Sequence, residues 1–157
     1  MWLVVDARHL SGVNMEISTE ENEACVRRVC DIVAAAVEAK TKITPEQQHI
    51  YDIDYFVMEV NSGASFEQYF RWASVDEIGR IVHALRAAGM EDIANLAEKA
   101  IDIAFSGVIP TDDETKSDLT DWSGEQERRL ESLFPALEEQ NGRIINDLAS
   151  YAARVGA

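Results

Sequence analysis

The sequence predicts an all-α fold, a single-domain bundle of about six to seven helices, and three observations predict it. Apolar residues recur at helical spacing through most segments after Ser18. Helix starts are marked by paired capping residues, Thr44 with Gln47 and Ser74 with Glu77. The 157 residues include only three prolines and eight glycines, too few for a loop-rich β fold. That length suits one domain, and 46% hydrophobic with 27% charged residues is an ordinary globular composition.

Residues 1–17 are set apart from the rest. Val13, Met15 and Ile17 alternate and Leu10-Ser11-Gly12 offers a turn, so a short hairpin or an irregular arm is expected there. Residues 18–157 form the helical domain. Ser18 and Glu21 have capping-box spacing, and Val26, Val29, Cys30, Val33 and Val37 follow as one stripe. Thr44, Pro45 and Gln47 open a second helix as N-cap, N1 and N3. It runs to about Val60, ends at Asn61-Ser62-Gly63, and is apolar nearly all round, which places it centrally.

Ser65 to Ala73 reads as a short helix carrying Phe66, Tyr69, Phe70 and Trp72. Ser74 caps the next, with Ile78, Ile81, Val82 and Leu85 inside and Gly89 as its left-handed stop. Ile93, Leu96, Ala97, Ala100, Ile101 and Ala104 make a further stripe, closed by Gly107 and Pro110. Thr111 and Glu114 repeat the cap spacing before a short acidic segment. The last region carries Leu130, Leu133, Phe134 and Leu137, then Ile144, Ile145, Leu148 and Ala152. Pro135 breaks or kinks it near Leu133.

Charge narrows the function. There are 29 acids and 14 Lys or Arg, a net charge of −15. A chain with so few bases does not neutralise phosphates, so direct nucleic-acid binding is not expected, and neither is an anionic membrane. The acids are clustered: Glu46, Asp52, Asp54, Glu59 and Glu67 lie between Lys42 and Arg71 with no Lys or Arg among them. Asp112, Asp113, Glu114, Asp118 and Asp121 crowd together with Lys116 as their one compensating charge. A solvated, solubilising face is the plain reading of such runs; a docking face for a basic partner is the functional one.

Chemical motifs are sparse. Glu46 and His49 form one Glu-x-x-His pair, half of what a di-iron bundle needs, and a second is missing. No metal or cofactor is therefore expected. Asp52 and Glu59 share a stripe of the central helix. Partly buried carboxylates there need partners, with Arg71, Arg80 or a tyrosine hydroxyl as candidates. A structural network is the simpler role for that pair, and an acid/base site in a helical cleft is the rival. Phosphate-loop, zinc and nucleophile-elbow signatures are missing, so no enzyme is expected. Cys25 and Cys30, five apart on one helix, point about 140° apart and do not bridge. No basic leader and no run of about 20 apolar residues is present, so a cytoplasmic location is expected.

Met58-Glu59-Val60-Asn61-Ser62-Gly63 followed by Phe66-Glu67-Gln68-Tyr69-Phe70 resembles the core motif of the DNA-mimic protein family, mostly uncharacterised bacterial domains. Typical members read acid-Val-Asn-Asn-Gly-Gly-Phe-x-Gln-Tyr-Phe. Ser62 stands here for the second Asn, and Ala64-Ser65 replace the second Gly with one residue extra. The two helices of Leu85 to Phe105 continue the similarity, which covers roughly the last two thirds of the chain. Glu59, Asn61, Gly63, Phe66, Gln68, Tyr69 and Phe70 carry the motif, and their reading is structural: Gly63 permits a tight reversal while Phe66, Tyr69, Phe70 and Trp72 pack the turn.

The resemblance implies an all-helical fold and an acidic surface that competes with DNA for a basic DNA-binding protein. The charge is of the right order. A domain of this length spans roughly 40 Å, a stretch of duplex carrying about 23 phosphates, of which about half face one partner. The expected contact residues are Asp112, Asp113, Glu114, Asp118, Asp121, Asp54 and Glu67. An immunity or inhibitor protein facing a basic toxin or nuclease is the alternative binding role, and a homodimer is left open.

Overall fold

The computed structural model describes residues 7–157, with side chains from Thr19 onward. Among the described residues the chain is all-α and contains no strand. The described residues form nine helices in order: α1 (Ala7–Ala39), α2 (Pro45–Gly63), α3 (Glu67–Trp72), α4 (Val75–Ala87), α5 (Glu91–Phe105), α6 (Asp113–Leu119), α7 (Gly124–Ser132), α8 (Phe134–Glu138) and α9 (Asn141–Val155).

The central helix is α2. It packs against α1, α3, α4, α8 and α9, and buries Ile50, Ile53, Phe56 and Val60 completely. Its start is the Thr44 capping box: the Thr44 side chain accepts from the Gln47 N–H and the Gln47 side chain accepts from the Thr44 N–H. Ser74 and Glu77 do the same for α4, so two orphan donors at each entry are satisfied locally. Helices α4 and α5 form an antiparallel pair through Gly89 at φ +78°. Helix α1 lies along both α2 and α9, and Asn22 donates to Asn146 at 2.8 Å across the α1–α9 seam.

Several boundaries differ from the sequence expectation. The arm or hairpin of residues 1–17 gives way, from Ala7 onward, to helical backbone continuous with α1; residues 1–6 lie outside the described residues. Ser18 therefore lies within a helix rather than at its start. Extending a formed helix adds a backbone hydrogen bond per residue without a new nucleus, and no proline interrupts the run. Val37 is 65% exposed, and Ala36 takes the inward position. At the α6 start the N-cap is Asp112, whose side chain accepts from the Thr115 N–H at 2.7 Å, not Thr111. The last region breaks near Leu133 as expected, α8 beginning at Phe134 with Pro135 in its first turn, but a second break before α9 at Asn141 makes it three helices.

Candidate functional site

The turn between α2 and α3 is built from the motif residues. Glu59 accepts from Gln68 Nε2 at 2.7 Å. The left-handed residue is Ala64 at φ 49°, while Gly63 is still helical. Gly63 is thus not the reversal point. A Cβ there would stand 2.9 Å from Gln68 Cβ, so its role is to let α3 approach α2. Asn61 and Asn141 exchange side-chain amide hydrogen bonds at 3.2 and 2.7 Å, tying the end of α2 to α9. Phe66, Tyr69 and Phe70 are buried, with the Tyr69 ring edge-on to Phe56 at 4.9 Å. Trp72 departs from the expected packing and is 71% exposed. It is the last residue of the six-residue α3, whose buried residues are Tyr69 and Phe70.

Asp52 and Glu59 have separate partners. Asp52 is 2% exposed; it accepts from Arg80 Nε at 2.8 Å, Arg80 Nη2 at 3.1 Å and Gln48 Nε2 at 2.8 Å. That fork geometry satisfies a buried carboxylate and holds the Arg80 guanidinium above its ordinary pKa. Of the expected partners Arg80 is the one used, and Glu59 takes a glutamine instead. The Tyr69 hydroxyl, buried nearby, has no hydrogen-bond partner among the described residues, and burial pushes its pKa well above the ordinary value.

The acids around α6 are exposed: Asp112, Asp113, Glu114, Asp118 and Asp121 all lie on the surface. Two of them have structural work. Asp112 caps α6, and hydrogen bonds from Thr115 hold its carboxyl below the usual range. Asp113 Oδ1 accepts from the Val75 N–H at 2.8 Å, adding a cap to α4 from 38 residues away. Lys116 is not the compensating surface charge expected. It is 5% exposed, and its ammonium donates to the carbonyls of Phe70, Arg71 and Ala73 at the C-terminal end of α3. A cation suits that end of a helix, where carbonyls lack intrahelical partners. Burial holds its pKa below the ordinary value. A groove of about 340 Å³ runs beside it, lined by Trp72, Glu77, Asp113 and Ser117 among others.

Asp54 and Glu67 stand apart from the α6 acids, on α2 and α3. Asp54 is half-buried, accepts from the Cys30 thiol at 3.7 Å, and has its pKa raised by burial. Burial first, and then the Asp54 carboxylate beside it, push Cys30 up to about 12, so this thiol stays protonated. Glu67 accepts from Ser65 Oγ at 3.2 Å and lies 3.9 Å from Arg71. The Arg71 guanidinium in turn covers the Trp122 ring at 4.9 Å.

His49 of the Glu46-x-x-His49 pair shares a hydrogen bond with the Tyr151 hydroxyl at 2.9 Å, and its ring meets His83 edge-on at 5.3 Å. Among the described residues no group of three or more His, Cys, Asp or Glu is arranged to hold a metal ion. No helix among the described residues is long and apolar enough to cross a membrane. The residues that sequence reasoning missed are Asp113 as a cap and Lys116 as a plug. Both act across helices, so no local spacing announces them.

No curated protein and no solved structure matches the chain. A family model described as DMP19-like protein matches residues 41–155, from just before α2 to the end of α9.

Proposed function

The chain belongs to the DMP19-like protein family, and on that premise we propose that it is an acidic interaction module that takes the place of DNA on a basic DNA-binding protein. One observation carries the reading. From Thr111 to Glu125 inclusive the sequence has six acids and one base, and that base, Lys116, is turned inward onto α3. What this segment offers to solvent is therefore only negative charge. Glu114 and Asp118 lie four apart on α6, a like-charge spacing that costs stability by roughly 0.2–0.5 kcal/mol. A partner with matching cations turns that cost into attraction.

Glu114, Asp118 and Asp121 are the primary contacts in this reading. Asp112 and Asp113 contribute charge while holding helix starts. Asp54 and Glu67 contribute less, because each already has a partner inside the fold. Binding is electrostatic, quickly steered and weakened by salt. The role is non-enzymatic.

The test is capture of partners on the immobilised protein at low salt, followed by elution with duplex DNA. Proteins that bind DNA and are displaced by it support competition. If everything captured withstands both DNA and high salt, the reading fails.

A further inference from the structure

A second surface carries a sharper statement about how such a partner is held. Gly79 is exposed in the middle of α4. Its φ is not in the left-handed region, and a Cβ placed on it would meet nothing within 4 Å. Glycine inside a helix is destabilising relative to alanine, and neither backbone geometry nor a close neighbour asks for it here. What its bareness does is keep open a groove of about 430 Å³ between α4 and α5. Val82 and Ile109 wall that groove and are only half-buried. Glu98 and Asp102, one turn apart on α5, line it with carboxylates.

The two acids differ. Glu98 Oε2 holds Arg86 at 2.8 Å. Asp102 is exposed and has no ion-pair or hydrogen-bond partner among the described residues, although Lys99 and Arg129 line the cleft on its other side. Its Oδ1 lies 3.1 Å from where a Cβ on Gly107 would be, and Gly107, at φ +78°, leaves that oxygen uncovered. A lining that is mostly polar but apolar at Val82 and Ile109, leading to a free carboxylate, matches a methylene stem ending in a cation.

We propose that the α4–α5 groove receives an arginine or lysine side chain of the basic partner, its stem over Gly79 between Val82 and Ile109 and its head on Asp102. This rests on the reading that the partner is basic. It adds a contact that is partly apolar and so outlasts screening.

A nona-arginine peptide is the probe, titrated by calorimetry and by amide chemical shifts against the full chain and three variants. Gly79→Leu fills the groove, Asp102→Asn removes its charge, and Asp118→Asn removes a charge on α6. The expected result is shifts at Gly79, Val82 and Asp102, with binding weakened about fivefold by either groove variant. The Gly79→Leu loss persists at high salt, whereas the Asp118→Asn loss fades. If Gly79→Leu binds the peptide as tightly as the parent while Asp118→Asn binds it less well, the groove is not used and the basic-partner reading stands. If only Asp102→Asn weakens binding, the contact is charge alone and the seated stem is overturned. If the parent does not bind the peptide at low salt, the basic-partner reading falls, and this inference with it.

Discussion

Gly63 and Gln68 approach so closely that a Cβ on the glycine would stand 2.9 Å from the Cβ of Gln68. The obstructing atom is rooted in the α3 backbone, so the clash is relieved only by moving the helix. Gly63→Ala should therefore lower stability by about 1–3 kcal/mol, overpacking outweighing the gain in helix propensity. Denaturant unfolding checks this, and an unchanged midpoint would mean that α3 shifts freely.

The same substitution at Gly79 has the opposite sign. With no atom within 4 Å of the new methyl group, only the helix propensity changes, and Gly79→Ala should gain about 0.5–1 kcal/mol. In a chain of this length that raises Tm by roughly 1–4 °C. A thermal melt decides.

Lys116→Met should cost about 2–4 kcal/mol, since it leaves the α3 carbonyls that the ammonium holds without a donor. Because Lys116 is buried, affinity for a basic peptide should hardly change. Loss of that affinity in a fully folded variant would contradict the inward placement.

The acids near α6 should separate into two classes. Asp113→Ala removes the acceptor of the Val75 N–H and should cost about 1 kcal/mol, the worth of a typical cap. Asp118→Asn should leave stability level or raise it by a few tenths of a kcal/mol, because it relieves repulsion from Glu114. Paired melts and low-salt titrations with a basic peptide distinguish them: Asp118→Asn loses binding without losing stability.

His49 gives a pH dependence. Burial first, then the neighbouring His83, hold its pKa below 6.5. The unfolded chain therefore takes up a proton more readily than the folded one. Stability from this residue is complete above 6.5 and is lost as pH falls through the lower folded value. Melts from about pH 7.5 to about pH 5 should show the parent losing more Tm than His49→Gln does. Parallel curves would mean that this histidine is not linked to folding.

What could be read in the sequence was what acts over three or four residues. The Thr44 and Ser74 boxes, the Gly89 stop and the break at Pro135 are local, and the structure has each of them. The α6 cap fell one residue off because Thr111 and Asp112 both offer a capping oxygen, and spacing cannot rank them. Gly63 was legible as a glycine that mattered but not for its reason, which is the approach of a side chain five residues on. Trp72 was grouped with the packed aromatics because composition gives hydrophobicity and not direction. Lys116 was the hardest: a lysine among acids looks solvated, and only tertiary geometry brings it under three carbonyls. Arg80 stood among three candidates for the buried carboxylates, with Arg71 and a tyrosine hydroxyl, and spacing along the chain could not choose between them.

The pairing of α1 with α9 has a consequence for how the molecule is made. Asn22 and Asn146, joined across that seam, are 124 positions apart in the chain. A ribosome releases α9 only after α1 to α8, so the inner face of α1 waits through the synthesis of these 124 positions for its second partner. Contacts this distant in sequence slow folding, and apolar surface exposed meanwhile invites association with other chains. The strip Val26, Val29 and Val33 is thus apolar surface that the nascent protein carries before its covering helices are complete.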